Sequence, residues 1–431
     1  MGNGPGALEE YWDLFYAYDN LMGGCVWEWA DHAVDHGEDA PIRYTYGGDH
    51  GERIHDGNFC VDALVYPDRT PHTGAWAMKN VYRPVRAKFH PTESADSAGA
   101  PGLYGNLVLT NTNRFVNAAF TLEWALRKNG EEVMVGTPCF IIPALQSETY
   151  ELELPALDAN AEYHLDLYYH LNGEPDFEQI ALQELYIEEK VRKAKMPPLQ
   201  ALQSIKLNFL RAWIDNDNWR NWVQEEYAPQ NLIVKEDGVY AGEDKQFSME
   251  LIQEELLGGA VKVTAKLTPA EDLLEGLQIP RFGVTMELPH AWDQIKYYGL
   301  GERENLPDFK AQAKLGVFET TVDATHEPYI YPQDNGNHGQ CRWLELTDKE
   351  GHGIRVFNAP GKFSFSAHHY TQEELEAAKH QEDLSHGGPV FLSIDGFVRG
   401  SGTSSCGPDT LDKYQIDLTN GLEFSFVIAR I

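Results

Sequence analysis

From Arg83 and Pro84 onward the chain breaks into short runs in which apolar and polar residues alternate, separated by clusters of Asn, Gly and Pro. Side chains alternate faces along a strand, so runs of this kind bury an apolar face only as members of a sheet. Residues 107–110, 119–126 and 162–169 read as such strands and predict a small β-sandwich of about 110 residues. Met196, Pro197 and Pro198 mark its exit. Beyond them the chain is again strand-rich up to Ile431, with 261–267, 282–288 and 391–394 as the clearest runs. One helix is predicted over 371–380, where Thr371 caps and Glu374 completes a capping box. No internal repeat or low-complexity tract interrupts the pattern.

The first 83 residues follow a different period. Pro5 suits a first helical turn, and Leu8, Trp12 and Phe15 recur at helical spacing to form one apolar stripe. Gly23 and Gly24 then punctuate the chain before Cys25, Val26 and Trp27, a run that reads as a buried parallel strand. Residues 49–71 form a long loop, and 74–82 predict a second helix with Trp76 and Val81 as apolar members. Helix, glycine turn, strand, loop and helix amount to about a quarter of a (β/α)8 barrel, a fold whose active sites lie at the C-terminal ends of the strands. Because this stretch opens as the inside of a domain, a preceding portion is expected.

At 431 residues the chain allows two to four domains, since domains hold roughly 100–200 residues each. A net charge of −33 excludes nucleic acid and anionic membrane as partners, because both would repel such a surface. A neutral sugar is indifferent to it. Cys25, Cys60, Cys139, Cys341 and Cys406 are odd in number and far apart, unlike a disulfide framework or a zinc site, which points to a reducing, cytoplasmic setting. No run approaches the ~18 apolar residues of a membrane span.

Several long motifs carry a family resemblance. The opening MGNGPG, GGCVWEWAD and FCVDALVYPDRTPH resemble the end of the catalytic barrel of glycoside hydrolase family 2 β-galactosidases. RAWIDND (211–217), EPYIYPQDNGNHGQCRW (327–343), FSFSAHHYTQEEL (363–375) and SIDGFVRGSGTSSCGP (393–408) resemble signatures of their large terminal domain. The resemblance implies a multidomain, mainly β chain: a barrel end over 1–83, an immunoglobulin-like β-sandwich over 84–195, and a galactose-mutarotase-like β-supersandwich over 196–431. It departs from the family around Gly299 to Gly301, where Glu302, Leu306 and Phe309 replace the usual continuation, and between Glu188 and Arg211, which is shortened.

Retaining glycosidases work with two carboxyl groups about 5 Å apart, one nucleophile and one acid/base. The resemblance places both glutamates, and the magnesium ligands, before the position matching Met1, so the isolated chain is expected to be inactive and its partners to be a galactoside and the upstream catalytic portion, in a homo-oligomer. Glu28 and Asp31 read as structural carboxylates rather than substitutes. The resemblance assigns Trp27 as the apolar floor under galactose, Phe59 by its carbonyl and Asp62 by its side chain as sodium ligands near the sugar, and Cys406 to the mouth of the aglycone subsite. An indole face suits the apolar face of a sugar, and oxygen ligands suit a hard cation. Two alternatives are a non-catalytic complementing subunit of a two-chain enzyme and a free-standing mutarotase-like sugar binder or epimerase.

Other clusters are weaker. Asp31, His32, Asp35, His36, Asp49 and His50 lack metal-ligand spacing and read as loop residues. Gly299 and Gly301 open no dinucleotide fingerprint. His338, His368 and His369 read as core or surface histidines ahead of sugar ligands.

Overall fold

The computed structural model describes residues 6–92, 102–185, 204–209, 211–218, 232–235, 238–241, 243–256, 258–273, 276–358, 361–403 and 407–431. It is mainly β, and it divides into two compact units, one of residues 1–77, 188–313 and 318–431, the other of residues 78–187 and 314–317.

The smaller unit is a pair of antiparallel sheets around one apolar core. Val85–Thr92, Gly102–Asn111 and Ser147–Pro155 make the first. In the second, Asp176–Gln183, Tyr163–His170, Ala118–Lys128 and Glu131–Gly136 follow in that order, and Cys139–Ile142 also pairs with Ala118–Lys128. The period-2 reading holds here. Leu107 and Leu109, Leu122, Trp124 and Leu126, Leu152 and Leu154, and Leu165, Leu167 and Tyr169 all project into one buried cluster. Tyr163–His170 is buried on its other face too, where Asp166 accepts hydrogen bonds from Arg127 Nε at 2.5 Å and Gln179 Nε2 at 2.7 Å. A buried carboxylate is tolerable only with such partners.

In the larger unit two sheets share a single core. The smaller runs Lys206–Asn208, Arg281–Leu288, Val390–Val398, Phe363–His368 and His338–Cys341. The larger includes, in order, Leu232–Lys235, Gly238–Ala241, Asp244–Glu255, Val261–Pro269, Leu422–Arg430, Gly353–Asn358, Trp343–Thr347 and Gln294–Gly301. Phe282, Val284, Phe365, Leu392 and Ile394 meet Val263, Ala265, Phe426 and Ile428 between them.

The opposite face of the smaller sheet is polar, and it is buried as well. Ser366, His368, Ser393 and Asp395 alternate with those core residues, and Arg281 has no solvent-exposed surface. Asp334 and Asn335 of the motif segment 327–343 lie against this face, and the segment 211–217 is bonded to the same motif. Arg281 Nη2 donates to both oxygens of Asp334 at 2.9 Å, Asp215 N donates to Gln333 Oε1 at 3.0 Å, and His368 Nε2 lies 3.0 Å from the Asn335 carbonyl. Burial lowers His368 to about 3 and His338 to about 4, so both rings are neutral core groups at neutral pH. His369 is buried against the Gly388 carbonyl.

The predicted helix is present but ends sooner, as Gln372–Ala377, with Thr371 Oγ1 accepting from Glu374 N at 3.1 Å and Glu374 Oε2 accepting from Thr371 N at 2.8 Å. Thr371→Ala frees one of these donors, and caps of this kind are worth ~1 kcal/mol. A fall of that size in unfolding free energy by urea titration is expected, with no change in the slope of the titration.

The first segment departs from its reading. Leu8–Ala17 and Thr73–Val81 are helices as predicted, but Leu8–Ala17 buries no residue, and Trp12 and Phe15 pack edge to face on each other at 5.1 Å. Cys25, Val26 and Trp27 are not a buried strand: the run is irregular and exposed, with Trp27 at 77%. A parallel strand exists only through the ladders of its neighbours, and among the described residues these three meet none. The next residues do find a neighbour. Leu64 N donates to the Glu28 carbonyl at 3.0 Å, Val65 N to that of Trp29 at 3.1 Å, and His32 N to that of Cys60 at 2.8 Å, with one parallel bridge between Ala30 and Val65.

Candidate functional site

These backbone bonds bring two of the assigned segments side by side: Trp27 lies just before Glu28 on one, and Phe59 and Asp62 lie on the other. The loop bearing them is held by its backbone and by one buried side chain. Asp31 Oδ1 accepts from Ala63 N at 2.9 Å, and its Oδ2 lies 2.8 Å from His72 Nε2. His72 in turn stacks on Tyr66 with ring centres 3.7 Å apart. Asp31 is therefore a structural carboxylate that fixes the peptide following Asp62.

Asp62 is half-buried, and among the described residues its buried Oδ1 meets no hydrogen-bond donor. Burial, with the Glu28 and Asp31 charges, raises its carboxyl from its ordinary value. A buried, unpaired carboxylate oxygen costs free energy unless a proton or a cation meets it, so the donor chemistry of Asp62 fits a hard cation. Glu28 pairs with His32 at 3.3 Å on the surface. The exposed indoles of Trp27 and Trp29, at 77% and 64%, stand on the same stretch.

The remaining loop histidines and carboxylates satisfy one another. His36 Nε2 and His50 Nε2 flank Thr45 Oγ1 at 2.8 and 2.9 Å, and Asp49 accepts from Tyr46 N at 2.8 Å while lying 3.0 Å from His380 Nε2. Cys406 lies outside the described residues. The base of its loop is well fixed: Asp308 accepts from Ser401 N and Gly402 N at 2.8 Å, Asn216 Nδ2 donates to the Gly402 carbonyl at 2.7 Å, and Arg399 Nη2 grips Asp409 at 2.5 and 2.6 Å. Gly6 is required nearby, since a Cβ there would stand 2.5 Å from the Gly402 carbonyl oxygen.

Sequence reasoning missed a pair of carboxylates, Glu304 and Glu327. Glu327 Oε1 accepts from Tyr66 Oη at 2.8 Å and its Oε2 from Thr73 Oγ1 at 2.7 Å. Glu304 accepts from the Tyr329 hydroxyl and, at 2.7 Å, from Gly336 N. Burial, followed by the Glu327 charge, raises Glu304 to about 8. Only the fold joins these positions, and no local pattern marks them.

Against known proteins, the family described as glycosyl hydrolases family 2, TIM barrel domain, matches residues 1–87, and that described as beta galactosidase small chain matches residues 188–428. The second match alone spans more than half of the chain. The chain belongs to the β-galactosidase small-chain family. Curated relatives agree with this. The β-galactosidase of Actinobacillus pleuropneumoniae is 29% identical over 96% of this chain and 45% of its own length. Those of Staphylococcus xylosus and Photobacterium profundum are 28% and 26% identical, each over 99% of this chain and 48% of their own length. The chain thus spans about half the length of the curated relatives it matches.

Proposed function

We propose that this chain is the C-terminal portion of a retaining β-galactosidase that hydrolyses terminal β-D-galactosides, both catalytic glutamates lying in the portion before it. The observation that carries this reading is the match to β-galactosidases over nearly the whole chain. In it the three-part division at 83 and 195 follows the family, Trp27 presents its indole to the apolar face of galactose, and Cys406 stands at the aglycone mouth. Phe59 and Asp62 would hold sodium, which would supply a fixed positive charge for the sugar hydroxyls, and the magnesium ligands are expected in the upstream portion. The unpartnered Asp62 Oδ1 and the exposed Trp27 ring support these assignments. The free thiols of Cys25, Cys60, Cys139 and Cys341 suit the cytoplasm, and a homo-oligomer is expected. Among the described residues no helix is long and apolar enough to cross a membrane.

A second reading is favoured by the family description itself, which names a small chain: a separate, non-catalytic subunit complementing a larger one. Both readings give Trp27 the same task. In the enzyme completed with its upstream portion, Trp27→Ala is expected to cost about 2 kcal/mol of sugar binding, or roughly thirty-fold in KM. Steady-state kinetics on lactose and on an aryl galactoside would show it for both substrates, and an unchanged KM would remove Trp27 from the site.

A further inference from the structure

A cavity of about 450 Å³ opens at one end of the smaller sheet of the larger unit, walled by Pro307, Gln340, Ser364, Phe397, Val398 and Gln415. Its size is that of a small-molecule site. Among the described residues neither the Gln340 amide nor the Ser364 hydroxyl makes a hydrogen bond, and Gln415 spends only its Nε2, on the Thr410 carbonyl at 3.0 Å. Its Oε1 is left over. Phe397 is half-buried, packed on the core and lining the cavity as well. The two charged groups there, Lys362 and Asp417, are of opposite sign, so the cavity holds no cluster of cations for a phosphate.

Gln340 is not placed as an ordinary strand residue. The ladder between His338–Cys341 and Phe363–His368 shifts register between His338 and Cys341, and there Gln340 takes φ 54°. A non-glycine residue in the left-handed region costs free energy, and an irregularity on the edge strand of a sheet re-aims a side chain, so such residues gather at binding sites. We propose that this cavity is a saccharide site that takes one neutral sugar unit: Gln340, Ser364 and Gln415 Oε1 meet its hydroxyls, and the Phe397 ring meets its apolar face. This holds whether or not the chain serves a galactosidase, because it uses none of the residues assigned to the sugar floor or the cation.

The same walls carry the loop that leads to Cys406. Asp308, next to Pro307, accepts from Ser401 N and Gly402 N at 2.8 Å, and Gln415 holds the Thr410 carbonyl. A sugar bridging these walls therefore steadies both arms of the loop. The test is hydrogen exchange of the amides of residues 399–403 and 407–417 in the full chain, titrated with galactose and with lactose. A ligand of this size binds at roughly millimolar concentration, and protection should rise about fivefold or more at ten times that concentration. Gln340→Asn shortens the side chain with a residue that tolerates the left-handed backbone, and it should shift the midpoint to at least about fivefold higher sugar. Ser364→Ala should shift it in the same direction, and it carries the test if Gln340→Asn does not fold. Trp27→Ala should leave the midpoint where it is, which separates this cavity from the proposed galactose floor. No protection by about 100 mM of either sugar, the same midpoint in wild type and both cavity variants, or loss of the response in Trp27→Ala would overturn the site. So would equal protection by the same concentration of glycerol, which would mark a general solute effect.

Discussion

Replacing Asp334 by alanine is expected to destabilise the chain by about 3–5 kcal/mol, the usual cost of leaving one member of a buried ion pair without the other. Arg281 has no exposed surface, and its Nη2 is gripped by both Asp334 oxygens at 2.9 Å. The remaining candidate partner, Asp395, lies 3.6 Å from Nη1 and is pushed up to about 7 by burial, so it is a poor substitute. The guanidinium cannot escape by deprotonating. Urea unfolding should show the loss at neutral pH. Adding Arg281→Met to Asp334→Ala should recover a large part of it, because the stranded charge is then gone. A loss below ~1 kcal/mol for the single variant would mean that the polar layer is held by something other than this pair.

The other large effect is on activity. The purified chain is expected to show no turnover of a chromogenic β-galactoside, since the resemblance leaves it without nucleophile and acid/base, each worth orders of magnitude in rate. Three of the carboxylates that could be recruited in their place are otherwise engaged. Asp31 is committed to Ala63 N and His72, Glu28 pairs with exposed His32, and Glu327 is held by Tyr66 and Thr73.

What the sequence makes legible follows from how local each signal is. Strands such as Ala118–Lys128 and Val261–Pro269 announce themselves because each puts alternate residues into a core on its own side. The helix Gln372–Ala377 is legible from its cap, which needs only residues three apart. Cys25, Val26 and Trp27 mislead, because an apolar run says that burial is wanted without supplying the neighbouring strands that give it. The motif segment 327–343 is visible as a resemblance, but not as a segment lying against a buried polar layer. That role depends on Arg281 and Asp395, on strands that read as ordinary core. Glu304 and Glu327 are invisible for the same reason: among 67 acidic residues, only contacts made by the fold distinguish two that are gripped from many that are solvated.

In the proposed enzyme this chain supplies the floor and rim of a galactoside site while the reacting carboxylates come from elsewhere. The most direct test measures chromogenic β-galactoside hydrolysis by the purified chain alone, by the barrel portion preceding it in a relative such as the Actinobacillus enzyme, and by the two together. No turnover is expected for either alone, and hydrolysis is expected on mixing, reduced when Trp27 is alanine. Turnover by the 431-residue chain alone, or full activity of the preceding portion without it, would show that the reacting carboxylates and the sugar floor are not divided in this way.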